Sequence, residues 1–320
     1  MKQLMLAFVL ALASSLGLAA ESWPAKPVHI IVPFPPGSSP DLIARMLTDK
    51  LAQALGQPVI VENKPGAGGN LGTGLVAKAE PDGYTLGLSI PGPLAVNTVL
   101  YKKMEYDPFT ELAPITLVAL SPNVLIVNPG LGVNSVKEFI DYAKARPGKL
   151  NYGSVGNGSA SHLTMELLKM QAGLDIVHVP YKGTGQSVPA LLGGQVSLIL
   201  SALPSIESHV KAGRLRLLAV STAKRSPEAP EVPAIAELGV PGYDFAPEIG
   251  ILAPAATPGA VVQKLAAEIA RAVQHRDVVQ RFAQLGIAPV GSTPQAYAAV
   301  IRASDQKYAR AVKLSGAKAD

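Results

Sequence analysis

Two loops in this 320-residue chain place glycine and serine just where a helix should begin. One is Pro35-Pro36-Gly37-Ser38-Ser39-Pro40-Asp41. The other is Gly153-Ser154-Val155-Gly156-Asn157-Gly158-Ser159-Ala160-Ser161-His162. Helix starts carry unpaired N–H groups and partial positive charge, so they receive a carboxylate or phosphate without help from lysine or arginine. The candidate contacts are Pro36, Gly37, Ser38 and Ser39 in the first loop. In the second they are Ser154, Gly156, Asn157, Gly158, Ser159 and Ser161, with His162 in the first turn beside them. Two ordinary turns with capping serines would carry the same residues. Asp41 would repel an anion at close range, so it is expected to support its own helix start.

Other chemistries find less support. A third loop, VENKPGAGGNLGTG (61–74), follows the apolar run Val59-Ile60-Val61 and resembles a nucleotide fingerprint. The pattern G-x-G-x-x-G fits Gly66 and Gly68 but meets Leu71 at its last position, with Gly72 one residue late. No G-K-[ST] follows, and these glycines read as structural. A nucleophile elbow is approached at Gly87-Leu88-Ser89-Ile90-Pro91, which lacks the closing glycine. The five histidines form no HExxH and no i, i+4 pair, so no zinc site is expected. His29 and His178 lie inside apolar runs and read as structural. With no cysteine, disulfides and thiolate chemistry are excluded.

The chain opens with one lysine, an apolar run from Leu4 to about Leu12 and then small residues, the layout of a secretory signal. Cleavage is expected after Ala19, with Ala20 second, and export argues against ATP or NAD as partners. The net charge of +5 is spread out, with no basic run beyond pairs such as Lys102-Lys103. That disfavours nucleic acid and suits mild attraction of small anions.

The elements that must hold these loops alternate as strand, loop and helix. Val28 to Phe34 reads as a buried strand, and Asp41 to Leu55 as a helix with Ser39 as N-cap, Pro40 at its first position and Gly56 as its stop. Strands are expected at 57–63, 82–90, 122–129, 150–154, 176–183, 195–204 and 214–222. Helices are expected at 72–79, 135–145 behind a capping box at Ser135 and Glu138, after the second loop with His162 in the first turn, and at 187–192, 257–274 and 293–314. Alternating βα units predict mostly parallel sheets in two α/β lobes, with the C-terminal helices returning to the first lobe.

Taken together, WPAKPVHIIVPFPPGSSPD, GQPVIVENKPGAGGNLG, AKAEPDGYTL, PGKLNYGSVGNGSASHL, VHVPYKG, LLGGQVSLIL, GRLRLLAVSTAKRSP, PEVPAIAELGVPGYDF and GILAPAATP resemble the solute-binding proteins of tripartite tricarboxylate transporters, the Bug family. The likeness runs in order from Trp23 to about Ala311. It implies a periplasmic, two-lobe binding protein of the type II Venus flytrap class, α/β with mostly parallel sheets flanked by helices, and not an enzyme. After a signal at 1–19, lobe 1 would take residues 20–121 and 250–320, and lobe 2 residues 122–249. The family holds a carboxylate between two βα loops, which map onto the two loops above. The resemblance adds Tyr181, Lys182, Gly183 and Thr184 as a third wall and Ser89 with Pro91 as a fourth.

Two departures stand out. Pro35 and Pro36 replace the usual alanine and glycine, which shifts weight onto Ser38 or Ser39. Ser201 stands where relatives often carry aspartate, which argues against amino-acid ligands. The resemblance implies a small organic anion, a mono- or dicarboxylate, with aromatic acids left open by Phe34 and Tyr181. It also implies a membrane permease as partner, a monomer, and neither cofactor nor nucleic acid. Two alternatives remain: a sensor of the same fold, and a periplasmic hydrolase using Ser89 or Ser159 with His162.

Overall fold

The computed structural model describes residues 23–156, 159–225 and 230–315. The expected signal segment and its cleavage after Ala19 or Ala20 lie outside the described residues, as do Asn157 and Gly158. Two sheets organise the rest. The first joins β1 (Val28–Val32), β2 (Val59–Asn63), β3 (Thr85–Ser89), β4 (Leu112–Leu120), β10 (Glu248–Pro254) and β11 (Ala288–Pro289) in the order β11-β4-β10-β3-β1-β2. The second joins β5 (Asn123–Val127), β6 (Asn151–Ser154), β7 (Val177–Pro180), β8 (Leu198–Ala202) and β9 (Arg216–Val220) in the order β7-β6-β8-β5-β9.

The α/β class with two sheets flanked by helices agrees with the expectation, but the sheets are mixed rather than mostly parallel. Parallel pairing is confined to β1 with β2 and β3, and to β6 with β7 and β8. The other named pairs run antiparallel. The reason is the route of the chain. β4 ends the first sheet at Leu120 and β5 opens the second at Asn123, and β10 later re-enters the first sheet between β3 and β4. Strands that carry the chain between sheets are not preceded by a same-sheet crossover helix, so nothing forces them parallel.

The helices follow their apolar stripes. In α1 (Ser39–Leu55), Ile43, Leu47, Leu51 and Leu55 recur every fourth residue and are buried together against β1 and β3. Gly56 ends the helix at φ 69°, its N–H bonding Ala52 O. Leu265, Ile269 and Val273 of α8 (Gly259–Val273) enter the same core. Burying each such side chain stabilises the fold by about 1.5–3 kcal/mol. Among the elements that carried no sequence expectation are β4, β10 and α9 (Arg276–Gln284). Pro114 interrupts β4, and Gly250 interrupts β10. A Cβ at Gly250 would fall 2.1 Å from Tyr297 Cζ, so the gap in the pattern is room for a tyrosine.

That tyrosine belongs to α10 (Pro294–Ser315), which does more than return to the first sheet. Tyr297 and Ile301 pack with Ile31, Leu117 and Leu252. Two to three turns later Tyr308, Ala311 and Val312 join Leu125, Tyr152 and Leu163 around the second sheet. Ala95 and Val96, which follow β3, enter that second core too. The two sheets therefore share apolar cover.

Candidate functional site

The first loop is tied down by one carboxylate. Asp41 is buried, and its oxygens accept from Gly37 N at 2.8 Å, Arg45 Nε at 3.0 Å and Asn63 Nδ2 at 2.9 Å. Asn63 Nδ2 also reaches Phe34 O at 3.0 Å, so β2 anchors both ends of the turn. Burial opposes the charge, but the bonds from Arg45, Gly37 and Asn63 outweigh it and hold the carboxyl below its ordinary value. The helix cap sits one residue earlier than the sequence suggested. Ser38 is the N-cap, and its side chain makes no capping bond; Pro40 falls at the second helical position. Ser38 Oγ is enclosed and has no partner among the described residues. Gly37 and Ser39 line a cavity of about 200 Å³ with Ser121 and Ser205. Pro36 is exposed beside them.

The second loop is held by hydroxyls. It joins β6 to α5 (Ala160–Ala172), whose N-cap Ser159 accepts from His162 N at 3.3 Å. Ser161 Oγ accepts from Val155 N at 3.1 Å and lies 3.1 Å from Ser159 Oγ. Ser154 Oγ accepts from Gly156 N at 3.1 Å and lies 2.6 Å from His178 Nε2. His178 stacks on His162 with ring centroids 3.9 Å apart, and Tyr152 stacks on His178 at 4.8 Å. Tyr152 donates to Glu166 at 2.6 Å, and Lys169 donates to the same oxygen at 2.6 Å. Burial, with the Lys169 charge behind it, lowers His162 to about 4. Burial and then the neighbouring His162 lower His178 to about 4 as well. Both rings are neutral at pH 7.

A cavity of about 400 Å³ opens between elements of both sheets. Phe34 and Gly68 form one wall with Asn97, Leu100 and Tyr101; Val155, Ser159, Ala160 and Leu163 form the facing one; Phe245 and Tyr308 contribute a third side. Asn97, Leu100 and Tyr101 sit at the end of a helical stretch that starts at Pro91, makes a π turn over Gly92–Val96 and continues as α3 (Asn97–Leu100). Such turns recur at functional sites. Gly68 has φ 62°, and a Cβ on it would meet the Tyr101 hydroxyl at 3.1 Å. At Gly69 a Cβ would fall 2.9 Å from the Phe34 ring. The glycine loop that misses the nucleotide pattern is thus glycine-rich because it carries backbone up to the cavity wall.

Of the residues singled out in the sequence, Ser159 and Pro91 line this cavity, with Phe34 beside them. Gly37 and Ser39 line the smaller one, so the two expected anion loops do not open on a single space. Ser89, Ser154, Ser161, His162 and Ser201 are buried. Ser89 Oγ lies 3.4 Å from Thr73 Oγ1, and Ser201 pairs with Val124 inside the second sheet. Tyr181 packs into the core under β8, while Lys182 and Thr184 are exposed and Gly183 caps α6 (Thr184–Leu192). These side chains shape the loops from behind. His162 in particular stacks in the lobe's interior because α5 is buried on most of its faces. Asn97, Leu100, Tyr101, Phe245 and Tyr308 escaped notice, since they stand far apart in sequence and in segments without glycine-serine turns. The π turn, with prolines at 91 and 93 in an apolar run, was the available signal.

Comparisons with known proteins agree with this architecture. The family model described as tripartite tricarboxylate transporter family receptor matches residues 43–316. The chain is 40% identical over 302 residues to Protein BugT of Bordetella pertussis, covering 94% of this chain and 93% of that one. It is 36% identical to an R. palustris protein solved with adipate, at a TM-score of 0.81 over 92% of this chain and 99% of that one. MatC from Rhodopseudomonas palustris, solved with bound malate, is 31% identical with a TM-score of 0.77, covering 91% and 100%. These relatives are receptors rather than enzymes, which removes the hydrolase alternative. By family match, sequence identity and fold, the chain belongs to the tripartite tricarboxylate transporter receptor family.

Proposed function

We propose that the protein works in the periplasm, capturing a small organic carboxylate in the 400 Å³ cavity and handing it to a membrane permease. The observation that carries this reading is the start of α5. Ser159 and Ala160 line the cavity, the helix has no acidic residue in its first turn, and its first amides have no intrahelical acceptor. The ligands of the two solved relatives, adipate and malate, are of the same chemical kind. The N-terminal signal pattern supports export, and among the described residues no helix is long and apolar enough to cross a membrane.

The lobes are proposed as residues 20–121 with 250–320, and 122–249. Each sheet draws its strands from one of these groups, except that β10 opens two residues early, at Glu248. The ligand would bridge them and favour closure. In the first lobe Gly37, Ser38 and Ser39 would complete the anion's cradle once the lobes shift. The test is thermal unfolding of ligand-stripped protein against a panel of carboxylates. A ligand at 100 times its Kd adds about 2.7 kcal/mol, a rise of about 4 °C in Tm for a chain this size. A panel that leaves Tm unmoved would count against the carboxylate reading.

A further inference from the structure

Glu248 is a buried acid that belongs to neither glycine-serine loop. It opens β10 opposite Leu120, the last residue of β4, so both passages of the chain between the sheets run beside it. Ser121 N donates to Pro247 O at 2.9 Å and ties the two passages together. Burying a carboxylate is costly unless it is paired or hydrogen-bonded. Here Ser304 Oγ donates to Oε1 at 2.6 Å and the Tyr308 hydroxyl to Oε2 at 3.1 Å. Burial still pushes the carboxyl above its ordinary value, against the pull of the Ser304 hydroxyl, the Lys307 charge and the Tyr308 hydroxyl. An apolar side chain would fill the position at less cost, so stability alone does not account for an acid there.

What the acid holds is a wall of the large cavity. Ser304 and Tyr308 follow Tyr297 and Ile301 along one stripe of α10, where the helix leaves the first core for the second. Tyr308 lines the cavity and meets Phe245 edge to face, with ring centroids 5.0 Å apart. Phe245 also lines the cavity and is fastened to the second sheet through Ser221, which follows β9. Its N–H donates to Ser221 O at 2.8 Å, and its carbonyl accepts from Ser221 Oγ at 2.5 Å. Lys307 Nζ lies 5.1 Å from the Phe245 ring centroid and 5.7 Å from that of Tyr308, a cation shared by both rings. Tyr308 is thus tied to the first sheet through Glu248, Phe245 to the second through Ser221, and the two rings meet at the cavity. Ser304 bonds the same carboxylate but lies outside the cavity's lining, in a small pocket with Glu248 and Tyr297.

We propose that Glu248 is the positioning residue of the cavity's aromatic wall, holding Tyr308, and through it Phe245, where the chain crosses between the sheets. The proposal rests on the receptor reading above in treating this cavity as the ligand's. A ligand that presses on the two rings acts on Glu248 as well, and so on the start of β10. The hydroxyl of Tyr308 is the joint: without it the ring keeps its apolar neighbours and loses its fixed distance from the crossing strand.

The test places 4-fluorophenylalanine at position 245 of the full chain and reads its fluorine NMR resonance without ligand. Tyr308→Phe keeps the ring and removes only the hydroxyl, so the resonance should move or broaden, and Glu248→Ala should do the same. Glu248→Gln keeps a carbonyl acceptor of the same reach and should restore the wild-type signal. Ser304→Ala takes the other bond from the same carboxylate and should leave the signal in place, even where it costs as much stability. A wild-type signal in folded Tyr308→Phe overturns the proposal, as does a displacement by Ser304→Ala as large as that by Tyr308→Phe. A calorimetric arm titrates adipate and malate into each variant. Tyr308→Phe and Glu248→Ala should weaken binding about fivefold, the equivalent of one hydrogen bond, and Ser304→Ala should not. Equal affinities in all the variants overturn the proposal too. Wild-type protein that binds neither acid counts against the receptor reading, and the fluorine comparison then decides the positioning by itself.

Discussion

The loops at 35–41 and 153–162 share one sequence grammar and solve different electrostatic problems. Both follow a strand, carry glycine and serine, and open a capped helix. The first brings its own anion: Asp41 sits in the first turn of α1 and takes up the Gly37 amide. The second has no acid in the first turn of α5, and serines hold it instead. A helix start occupied by an internal carboxylate has spent much of its field on its own fold. A helix start left without one keeps that field for a ligand. Glycine-serine content alone does not separate the two; the position of a single aspartate does.

The largest expected difference is in acid. His162 and His178 support the second loop through Ser154 and are held at about 4, against an ordinary value of 6.5. A histidine whose folded value is depressed favours the neutral form. Its contribution to stability is complete above 6.5 and is lost as pH falls from there through 4. For the buried His162 the loss reaches about 3 kcal/mol, and two protonated rings stacked at 3.9 Å would repel. Thermal unfolding followed from pH 7 to 4 should show a steep fall in Tm, and His178→Gln should flatten it. A Tm flat across that range would mean that the pair is not buried as described. Asp41, held below its ordinary value, loses its share in the same direction but in a lower window: it stays intact down to about pH 4 and is lost only below that.

Next in size is Asp41→Ala. The change strips bonds from Gly37, Arg45 and Asn63 and removes the carboxylate that holds the turn, at a cost of about 2 kcal/mol. Chemical denaturation should register this, while the ranking of ligands by charge stays as it was. A reversed ranking would place Asp41 in contact with the ligand.

Transplanting the difference is the more pointed experiment. Ala160→Asp gives α5 the first-turn acid that α1 already has. The variant should stay folded, because acids suit helix starts, and should bind carboxylates about tenfold more weakly or worse, from charge repulsion at the cavity wall. Unimpaired binding in a titration would show that the anion is held elsewhere, the cavity at Gly37 and Ser39 being the first place to look.

Much of this was legible in the residues. The helix at 136–144 was announced by Ser135 and Glu138, and the structure shows Ser135 Oγ accepting from Glu138 N at 3.1 Å. β1, β3 and β5 were apolar runs between turn signals, and Gly56 stopped α1 as expected. What stayed hidden depends on contacts between distant segments. Gly250 looks like a break in a strand until Tyr297 fills the space above it. The cavity wall of Tyr101, Phe245 and Tyr308 spans more than 200 positions, and no local pattern joins them. The choice of which loop faces the larger cavity was hidden for the same reason. It depends on Asn63 of β2 reaching Asp41 and Phe34, a contact that only the pairing of β1 with β2 creates.

The smallest effect separates two serines at the same position of two helices. Ser159 and Ser38 are both N-caps with extended backbone, at φ −66° and −68°. Ser159 accepts from His162 N, whereas Ser38 Oγ is enclosed without a partner among the described residues. Ser159→Ala should therefore cost about 1 kcal/mol, the usual worth of a cap. Ser38→Ala in ligand-free protein removes a hydroxyl that is already unsatisfied, and should be neutral or slightly stabilising. Paired denaturation curves decide this, and ligand sharpens it. If Ser38 joins the carboxylate's cradle on closure, Ser38→Ala will weaken binding while leaving the free protein's stability untouched. Equal losses of stability in the two variants would mean that Ser38 caps its helix after all, and that the two loops are more alike than their carboxylates suggest.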